Sequence, residues 1–578
     1  MKASALAAVL LALLSVLPAP MVPASSDNPA QGVKEWTILV WEDGDNNLEG
    51  AGVHDLNEME TVGSTRDVNI IVQFDRAEGY DTTNGNWTGT KRFYVTADSD
   101  MNTISSRELA DLGEVNMGDP QAFINFSGWT IDHYPAKRYL VVFWDHGGGW
   151  HGICWDDTDK DYMDLDNVST ALRGMARQLG RPADVVGMDA CLMAGIEIIY
   201  QIRGLCDMAV LSGTTEPNDG WPYDWILPAL AMKPSMSDEE LATEITNDYV
   251  NSYTDGKPDP QDTPTSTMSA WNMSKVGPLL EEFNQMSMRL AMKAFTYNTY
   301  LRAMRDVTES YDPEHVVFLD ITNYPLYDIY GFIQNFLQPL GGPFVGLVID
   351  PALSRNMEVV QTLLLSARVA ERHGSRYPDG YGLTVYWPSG DNSPSPVTPR
   401  TQYDSRYDAI DSSRELYWDD FLKAYVGMQN VLDTPPYATI TSPVEGAGLS
   451  ASGGKVTLAG TAFDTNSVSY VEVRIDNGSW KKARGTVNWD YEWDISSLGG
   501  AHTVYARSYD GTTESPEVSR TFVITPGHPA QAAAGMNLAL AAGGVVVVAL
   551  VAALLLLSRM GKLAALRRAL HRKQPAAK

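Results

Sequence analysis

Two short apolar runs each stop on a side chain able to do acid–base or nucleophilic chemistry. Val141-Val142-Phe143-Trp144-Asp145-His146 leads into Gly147-Gly148-Gly149, and Val185-Val186-Gly187-Met188-Asp189-Ala190 leads into Cys191. Imidazole exchanges protons near neutral pH and a thiolate is a strong nucleophile, so neighbouring strand ends that present the pair make a cysteine acyl-transfer site. Taken singly, His146 reads as a histidine satisfied at a strand end and Cys191 as a small buried hydrophobe. The paired contexts favour the chemical reading.

The elements that must position these residues follow from the hydrophobic pattern. Trp36 to Trp41 and Val68 to Phe74 read as buried strands, with a helix between them through Leu56-Asn57-Glu58-Met59. Tyr139 to Trp144, Asp184 to Met188 and Met208 to Ser212 add three more, the first two separated by a helix around Asn167 to Leu179. Apolar strands alternating with helices predict an α/β fold, a mostly parallel sheet covered on both faces, whose ligands bind beyond the carboxyl ends of the strands. Lys275 to Ala370 is helical in pattern, and its Met residues read as core filling. Gly382 to Trp387 is expected as a late strand returning to the main sheet, and Leu416 to Tyr425 as a closing helix. After Pro435-Pro436 the pattern becomes alternating, and several short strands between 436 and 525 predict an all-β immunoglobulin-like sandwich.

Composition and the chain ends place the molecule. Of 578 residues, 44% are hydrophobic and 10% aromatic, which is globular and long enough for several domains. The net charge is −29, and the seven cations of the acid-free segment 559–578 leave the rest more acidic still. That excludes nucleic acid as an expected partner. Residues 1–24 carry Lys2, an apolar run and small residues before Ser25, a secretory signal pattern. Asn537 to Ser558 is uncharged over 22 residues, about 33 Å as a helix, enough to span a bilayer. The basic tail 559–578 then sets the orientation by the positive-inside rule. The expected organisation is a signal peptide (1–24), a catalytic domain (35–430), the sandwich (436–525), a stalk (526–536), one transmembrane helix (537–558) and a cytoplasmic tail (559–578). The expected location is the cell membrane, single-pass, with the catalytic domain outside the cytoplasm. Three cysteines, Cys154, Cys191 and Cys206, are too few for a disulfide scaffold, and their odd count leaves at least one free. Whether Cys154 pairs with Cys206 is open.

Five motifs in order resemble the clostripain family of cysteine peptidases, grouped in one structural clan with caspases, legumains and gingipains. They are Trp36-Thr37-Ile38-Leu39-Val40 followed by Gly44-Asp45-Asn46-Asn47-Leu48-Glu49; Tyr134-Pro135-Ala136-Lys137-Arg138-Tyr139; Asp145-His146-Gly147-Gly148-Gly149-Trp150; Asp189-Ala190-Cys191-Leu192-Met193; and Glu216-Pro217 with Gly220-Trp221-Pro222-Tyr223. The resemblance covers roughly residues 35–430 and leaves the sandwich and anchor outside. It implies a caspase-like α/β/α sandwich and a His146/Cys191 dyad, with Cys191 attacking the scissile carbonyl and His146 moving the protons. It also implies an oxyanion hole from the backbone N–H groups of Gly147 and Cys191. No cofactor is needed for that chemistry.

The family resemblance implies cleavage after Arg, in some members Lys, with acids at the base of the pocket that receives the residue before the cut. Asp189 projects to the same side of an extended strand as Cys191, and Glu216 and Asp219 are further candidates. The segment 156–166 reads either as a solvated acidic hairpin or as calcium ligands at Asp156, Asp157, Asp159 and Asp161, since family members can depend on calcium. Relatives also mature by cutting themselves after a basic residue between the two catalytic groups, which makes Lys160 the expected autocleavage site, ahead of Arg173, Arg177 and Arg181. The remaining histidines show no metal-ligand spacing, and the glycine run lacks the Lys and Ser/Thr of a nucleotide loop. The partners implied are protein or peptide substrates with basic residues, the membrane, and a cell-surface ligand of the sandwich. Two other readings remain: a catalytically silent surface adhesion protein, and a transpeptidase using the same dyad.

Overall fold

The computed structural model describes residues 32–526, except 255–263, 312–324, 339–343, 345–346, 391–402, 428–435, 445, 465–467 and 512. The expected signal peptide, the stalk beyond Pro526, the transmembrane segment and the tail lie outside the described residues. Among the described residues, no helix is long and apolar enough to cross a membrane. The chain divides into two compact units. Of the described residues, the larger holds those up to Ala438 together with Ala462–Val471 and Arg507–Pro516, and the smaller holds those in Thr439–Thr461, in Glu472–Ala506 and from Glu517 to Pro526.

The larger unit is built on a nine-stranded sheet. Its elements in chain order are β1 (Lys34–Gly44), α1 (Glu49–Glu60), β2 (Val68–Arg76), β3 (Gly89–Tyr94), β4 (Arg107–Gly113), α2 (Pro120–His133), β5 (Ala136–Trp144), β6 (Ile153–Asp156), β7 (Asp161–Met163), α3 (Leu165–Leu179), β8 (Ala183–Asp189), α4 (Ile196–Ile202), β9 (Cys206–Leu211), α5 (Tyr223–Met232), α6 (Asp238–Thr254), β10 (Thr267–Asn272), α7 (Val276–Val307), β11 (Leu326–Asp328), α8 (Ile329–Leu337), α9 (Pro351–Ala367), β12 (Arg368–His373), β13 (Thr384–Tyr386), α10 (Asp411–Glu415) and α11 (Trp418–Val426). The sheet order is β12-β10-β9-β8-β5-β1-β2-β3-β4. Neighbours from β9 to β2 pair in parallel. Antiparallel pairs extend both edges, β3 and β4 on one side and β10 and β12 on the other.

Parallel strands need crossovers, which cover both faces, so the central strands carry almost no exposed position. In β1 the side chains alternate between two cores. Leu39 and Trp41 join Phe123 and Phe126 of α2 and Val168, Leu172 and Met175 of α3. Ile38 and Val40 join Val53 and Leu56 of α1, Ile226 of α5 and Ile245 of α6. The period of 2 along the strand thus assigns residues to opposite layers. Helix boundaries follow local chemistry: Asp119 accepts the Gln121 N–H at 2.8 Å with Pro120 in the first turn, and Asp164 accepts the Asn167 N–H at 2.7 Å, while Gly180 closes α3 at φ +72°.

One expectation needs correction. Gly382 to Trp387 does not return to the main sheet: β13 pairs antiparallel with β11 in a separate two-stranded sheet. The edge is closed instead by β10 and β12. β12, Arg368-Val369-Ala370-Glu371-Arg372-His373, is only half-buried and too polar to stand out as a strand. The pairing of Cys154 with Cys206, open from the sequence, is not made: all three thiols are free.

The later all-β region has a four-stranded sheet that includes Tyr437–Ser442, Lys455–Phe463 and Asn488–Asp494, and a five-stranded sheet that includes Tyr470–Ile475, Gly500–Tyr509 and Val518–Thr525. Val471 and Val473, Val504 and Ala506, and Phe522 and Ile524 are buried at alternate positions, the one-sided pattern of sandwich strands.

Trp41 is fully buried and donates its indole N–H to the Met117 carbonyl at 3.1 Å. Trp41→Ala, made on a Cys191→Ala background, is expected to lower unfolding free energy by about 3–5 kcal/mol. Urea denaturation followed by circular dichroism measures it.

Candidate active site

The register of the parallel strands sets three chain ends abreast. Glu42 of β1 stands opposite Trp144 of β5, and Trp144 opposite Asp189 of β8. The Asp145 N–H donates to the Asp189 carbonyl at 3.3 Å, so the two strands remain tied past their last ladder pair. His146 and Cys191 follow directly. Both line a cleft of about 190 Å³ with Leu48, Glu216 and Gly220, and Asp189 lies in it as well.

Cys191 is presented by a strained turn. Leu192 has φ +68°, the left-handed region that costs a side-chain-bearing residue about 1–2 kcal/mol. It is held there because it is buried and because its N–H donates to the Thr214 carbonyl at 2.9 Å. The Glu216 N–H donates to Cys191 Sγ at 3.2 Å. Gly147 packs so closely that a Cβ there would lie 2.0 Å from the Cys191 carbonyl oxygen, which no other residue could accommodate. Its N–H reaches the thiol and favours the thiolate.

His146 is positioned from the turn after β1. Its Nε2 bonds Asn47 Oδ1 at 3.0 Å. An amide oxygen can only accept, so the proton sits on Nε2 and the lone pair on Nδ1, the nitrogen that can take a proton from a thiol. The neighbouring Asn46 donates from Nδ2 to Asp145 Oδ1 at 2.7 Å and to the Trp155 carbonyl at 2.9 Å. Asp145 Oδ2 accepts the Trp155 N–H. Consecutive asparagines therefore fix consecutive residues of the histidine turn. Asn46 and Asn47 are not acid–base residue types, and the only sequence sign of their roles and of Asp145's is that they lie within the motifs quoted above.

Burial pushes the Cys191 thiol up to about 11, against the lowering effect of the Glu216 and Gly147 N–H groups, and pushes His146 down to about 4. At neutral pH the resting pair is an uncharged imidazole and a protonated thiol.

Acids form one wall of the cleft. Asp189 Oδ2 accepts from the Tyr223 hydroxyl at 2.8 Å and from the Trp221 N–H at 3.2 Å. Burial raises Asp189 to about 6. Burial and the Asp189 charge raise Glu216 well above the carboxylate range. Behind them Asp55 accepts the Trp144 indole N–H at 2.6 Å, and Glu42 is buried with neither carboxyl oxygen hydrogen-bonded; burial raises both. Gly220, at φ +52°, lets the chain pass over these groups, since a Cβ would stand 2.9 Å from Asp55 Oδ2 and 3.1 Å from Asp189 Oδ1. Of the three acids expected at this pocket, Asp189 and Glu216 line the cleft. Asp219 is not among its lining residues, although its neighbours Asn218 and Gly220 are.

The expected calcium ligands are not brought together. Asp157 and Asp159 sit exposed in the β6–β7 turn, and Asp161 accepts the Asn116 side-chain amide at 2.8 Å. Of the four, only Asp156 belongs to a close carboxylate group, with Asp45, Asp75 and Glu114.

A thiol and an imidazole delivered by neighbouring parallel strands to one acid-lined cleft are the groups of a cysteine acyl-transfer site. The chain belongs to the clostripain family, which it matches over residues 40–425; residues 436–506 match the bacterial Ig domain. It is 27% identical over 237 residues to clostripain of Hathewaya histolytica, a match covering 36% of this chain and 44% of that relative's length. Among solved structures, a secreted C11 cysteine protease from Bacteroides thetaiotaomicron in complex with an irreversible peptide inhibitor is 22% identical with a TM-score of 0.46, covering 68% of this chain and 100% of that one. An inactive zymogen C11 protease from Parabacteroides distasonis is 16% identical with the same TM-score, covering 68% and 99%.

Because burial disfavours the thiolate, Cys191 of the substrate-free protein should react with iodoacetamide more slowly at pH 7 than a free cysteine. Its rate should keep climbing above pH 9, followed by mass spectrometry of the Cys191 peptide. Asn47→Ala is expected to lower kcat about 10–100-fold with little change in KM, because the ring loses its orientation while the cleft acids stay in place.

Proposed function

We propose that this chain is a cysteine endopeptidase that cleaves peptide bonds after Arg or Lys. The observation that carries this reading is the single cleft in which His146, Cys191 and the buried carboxylate of Asp189 face the same space. As substrate enters, water leaves and His146 Nδ1 takes the Cys191 proton while Sγ adds to the scissile carbonyl. The oxyanion is met by the N–H groups of Gly147 and Cys191, close to Sγ on the rigid turn. His146 then gives its proton to the departing amine, leaving a thioester that water hydrolyses with His146 as base.

A guanidinium or ammonium beside Asp189 replaces its costly isolation with a charge-assisted pair, while an uncharged side chain leaves the acid unpaired. Glu216, whose ionisation burial and the Asp189 charge disfavour, adds a second carboxyl to the pocket. In a matched peptide series with Arg, Lys, Leu or Asp before the cut, the parent chain should cleave the basic peptides and Cys191→Ala should cleave none. Asp189→Asn should reduce kcat/KM for Arg at least 100-fold, about 2.7 kcal/mol. Because Asp189 is raised to about 6, KM for the Arg peptide should rise as pH falls below that value. Loss of cleavage without loss of the basic preference in Asp189→Asn would remove it from the specificity pocket. If an added amine captures the acyl group more often than water, the chain is a transpeptidase; a cleft that neither cuts nor reacts with a basic peptidyl electrophile marks a silent adhesion protein.

Self-processing after Lys160 belongs to the same reading. Lys160 is exposed at φ +57° in the β6–β7 turn, its Nζ 3.7 Å from Asp157, whereas Arg173 and Arg177 are inside α3. Lys160→Ala should leave the chain uncut, as judged by denaturing electrophoresis; a nicked Lys160→Ala chain, or a parent fully active in one piece, overturns this. The leader, the span 537–558 and the basic tail support export and membrane anchoring, with the Ig-like region holding the peptidase off the membrane or binding a surface partner. Fractionation of cells expressing the full chain, and of a chain ending at residue 530, checks the anchor.

A further inference from the structure

The catalytic turn has a second side, away from the acids. Past His146 the chain runs through Gly147-Gly148-Gly149 and returns as β6, with Gly147 bridged to Ile153 and the Gly148 N–H donating to the Gly152 carbonyl at 2.9 Å. Trp155 of β6 is fastened to this turn at three points. Its N–H donates to Asp145 Oδ2 and its carbonyl accepts the Asn46 side-chain amide at 2.9 Å, so its main chain is held by the residue before His146 and by the neighbour of Asn47. Its ring lies against Gly148, where a Cβ would stand 2.7 Å from Trp155 Cη2.

Across the β6–β7 hairpin Tyr162 pairs with Trp155, and the two rings stack with centroids 5.3 Å apart and planes inclined by 6°. Trp155 is half-buried and Tyr162 is 40% exposed. The hairpin sends Ile153, Cys154 and Met163 into the layer of α2 and α3, whereas Trp144, Trp221 and Tyr223, beside Asp189, belong to the layer of α1, α5 and α6. The aromatic pair therefore stands across the catalytic row from the acid pocket. An imidazole that protonates the departing amine must reach that nitrogen, so the residue after the cut is placed beside His146. With the residue before the cut in the acid pocket, the glycine turn is the side left for the residue that follows. Three glycines put no side chain into that space, and Trp155 packs on the middle one.

We propose that Trp155, backed by Tyr162, forms the subsite for the residue after the cut and favours a large apolar or aromatic side chain there. The inference rests on the reading of His146 as proton donor to the leaving amine, and not on the choice of Arg or Lys before the cut. Ring surface removes an apolar side chain from water and offers a carboxylate no partner. Because Trp155 is fastened to Asp145 and Asn46, ring and imidazole share one frame, and seating the apolar residue also seats the amine nitrogen at His146. The preference should therefore appear in kcat as well as in KM.

The test is a peptide matrix cut by the full chain, with Arg, Lys, Leu or Asp before the scissile bond and Gly, Asp, Leu or Phe after it. Varying both positions keeps the two readings apart: if the basic preference fails, cleavage appears with another residue before the cut, and the effect of the residue after it is still read there. Leu and Phe should exceed Gly by about tenfold in kcat/KM, the order expected of added methylene groups in an apolar pocket, and Asp should be poorest. Trp155→Ala should bring Leu, Phe and Gly to near parity, and Trp155→Phe should keep most of the difference. A role confined to holding the turn would slow all peptides in proportion and leave their ratio as it was. An unchanged ratio in Trp155→Ala, or a parent chain indifferent to the residue after the cut, overturns the proposal.

Discussion

The level pairing of β1, β5 and β8 is the constraint on which the site depends. Parallel ladders fix register along their whole length, because a slip by one residue would turn every buried side chain to the wrong layer. Leu39 and Trp41 could not leave one core, nor Ile38 and Val40 the other, without exposing large apolar surface. Register therefore places Glu42, Trp144 and Asp189 in one row, and the residues that follow each strand emerge side by side. Hydrophobic packing some distance below the cleft sets the positions of the reactive groups.

Above that row the fold concentrates buried acids in two groups. Asp189, Glu216, Asp55 and Glu42 are gathered around the cleft; Asp43, Asp45, Asp75, Glu114 and Asp156 stand on the other side of the β1 end. Asp145 and Asn46 lie between the two groups and bond each other. Carboxylates this dense disfavour each other's ionisation.

Cys191 and His146 both rest uncharged, since burial acts on each in the direction of neutrality. The Glu216 and Gly147 N–H groups already oppose that effect at the thiol without overcoming it. The strain at Leu192 belongs to the same site, because a relaxed backbone there would not turn Cys191 out of the end of β8.

The sequence alone determined the strands that carry the site, their burial, the two reactive residues, the acid at Asp189 and the alternating character of the later region. These are local: an apolar run ending in a reactive residue is readable because both the period and the residue type lie within a few positions. Only the tertiary structure decided the edges and the assemblies. β3, β4, β10 and β12 are edge strands or neighbours of edges, where one-sided exposure mixes polar residues into the pattern, and β13 found its partner in β11 through long-range pairing. Asp219 and the hairpin aspartates share the residue type of the acids that line the cleft, and their placement is set by turns whose geometry no spacing encodes. Asn47 against His146, and Asp45 with Asp75, Glu114 and Asp156, join residues up to 111 positions apart. Such groups become neighbours only after the sheet has chosen its order, because proximity across strands is a property of the packed layers.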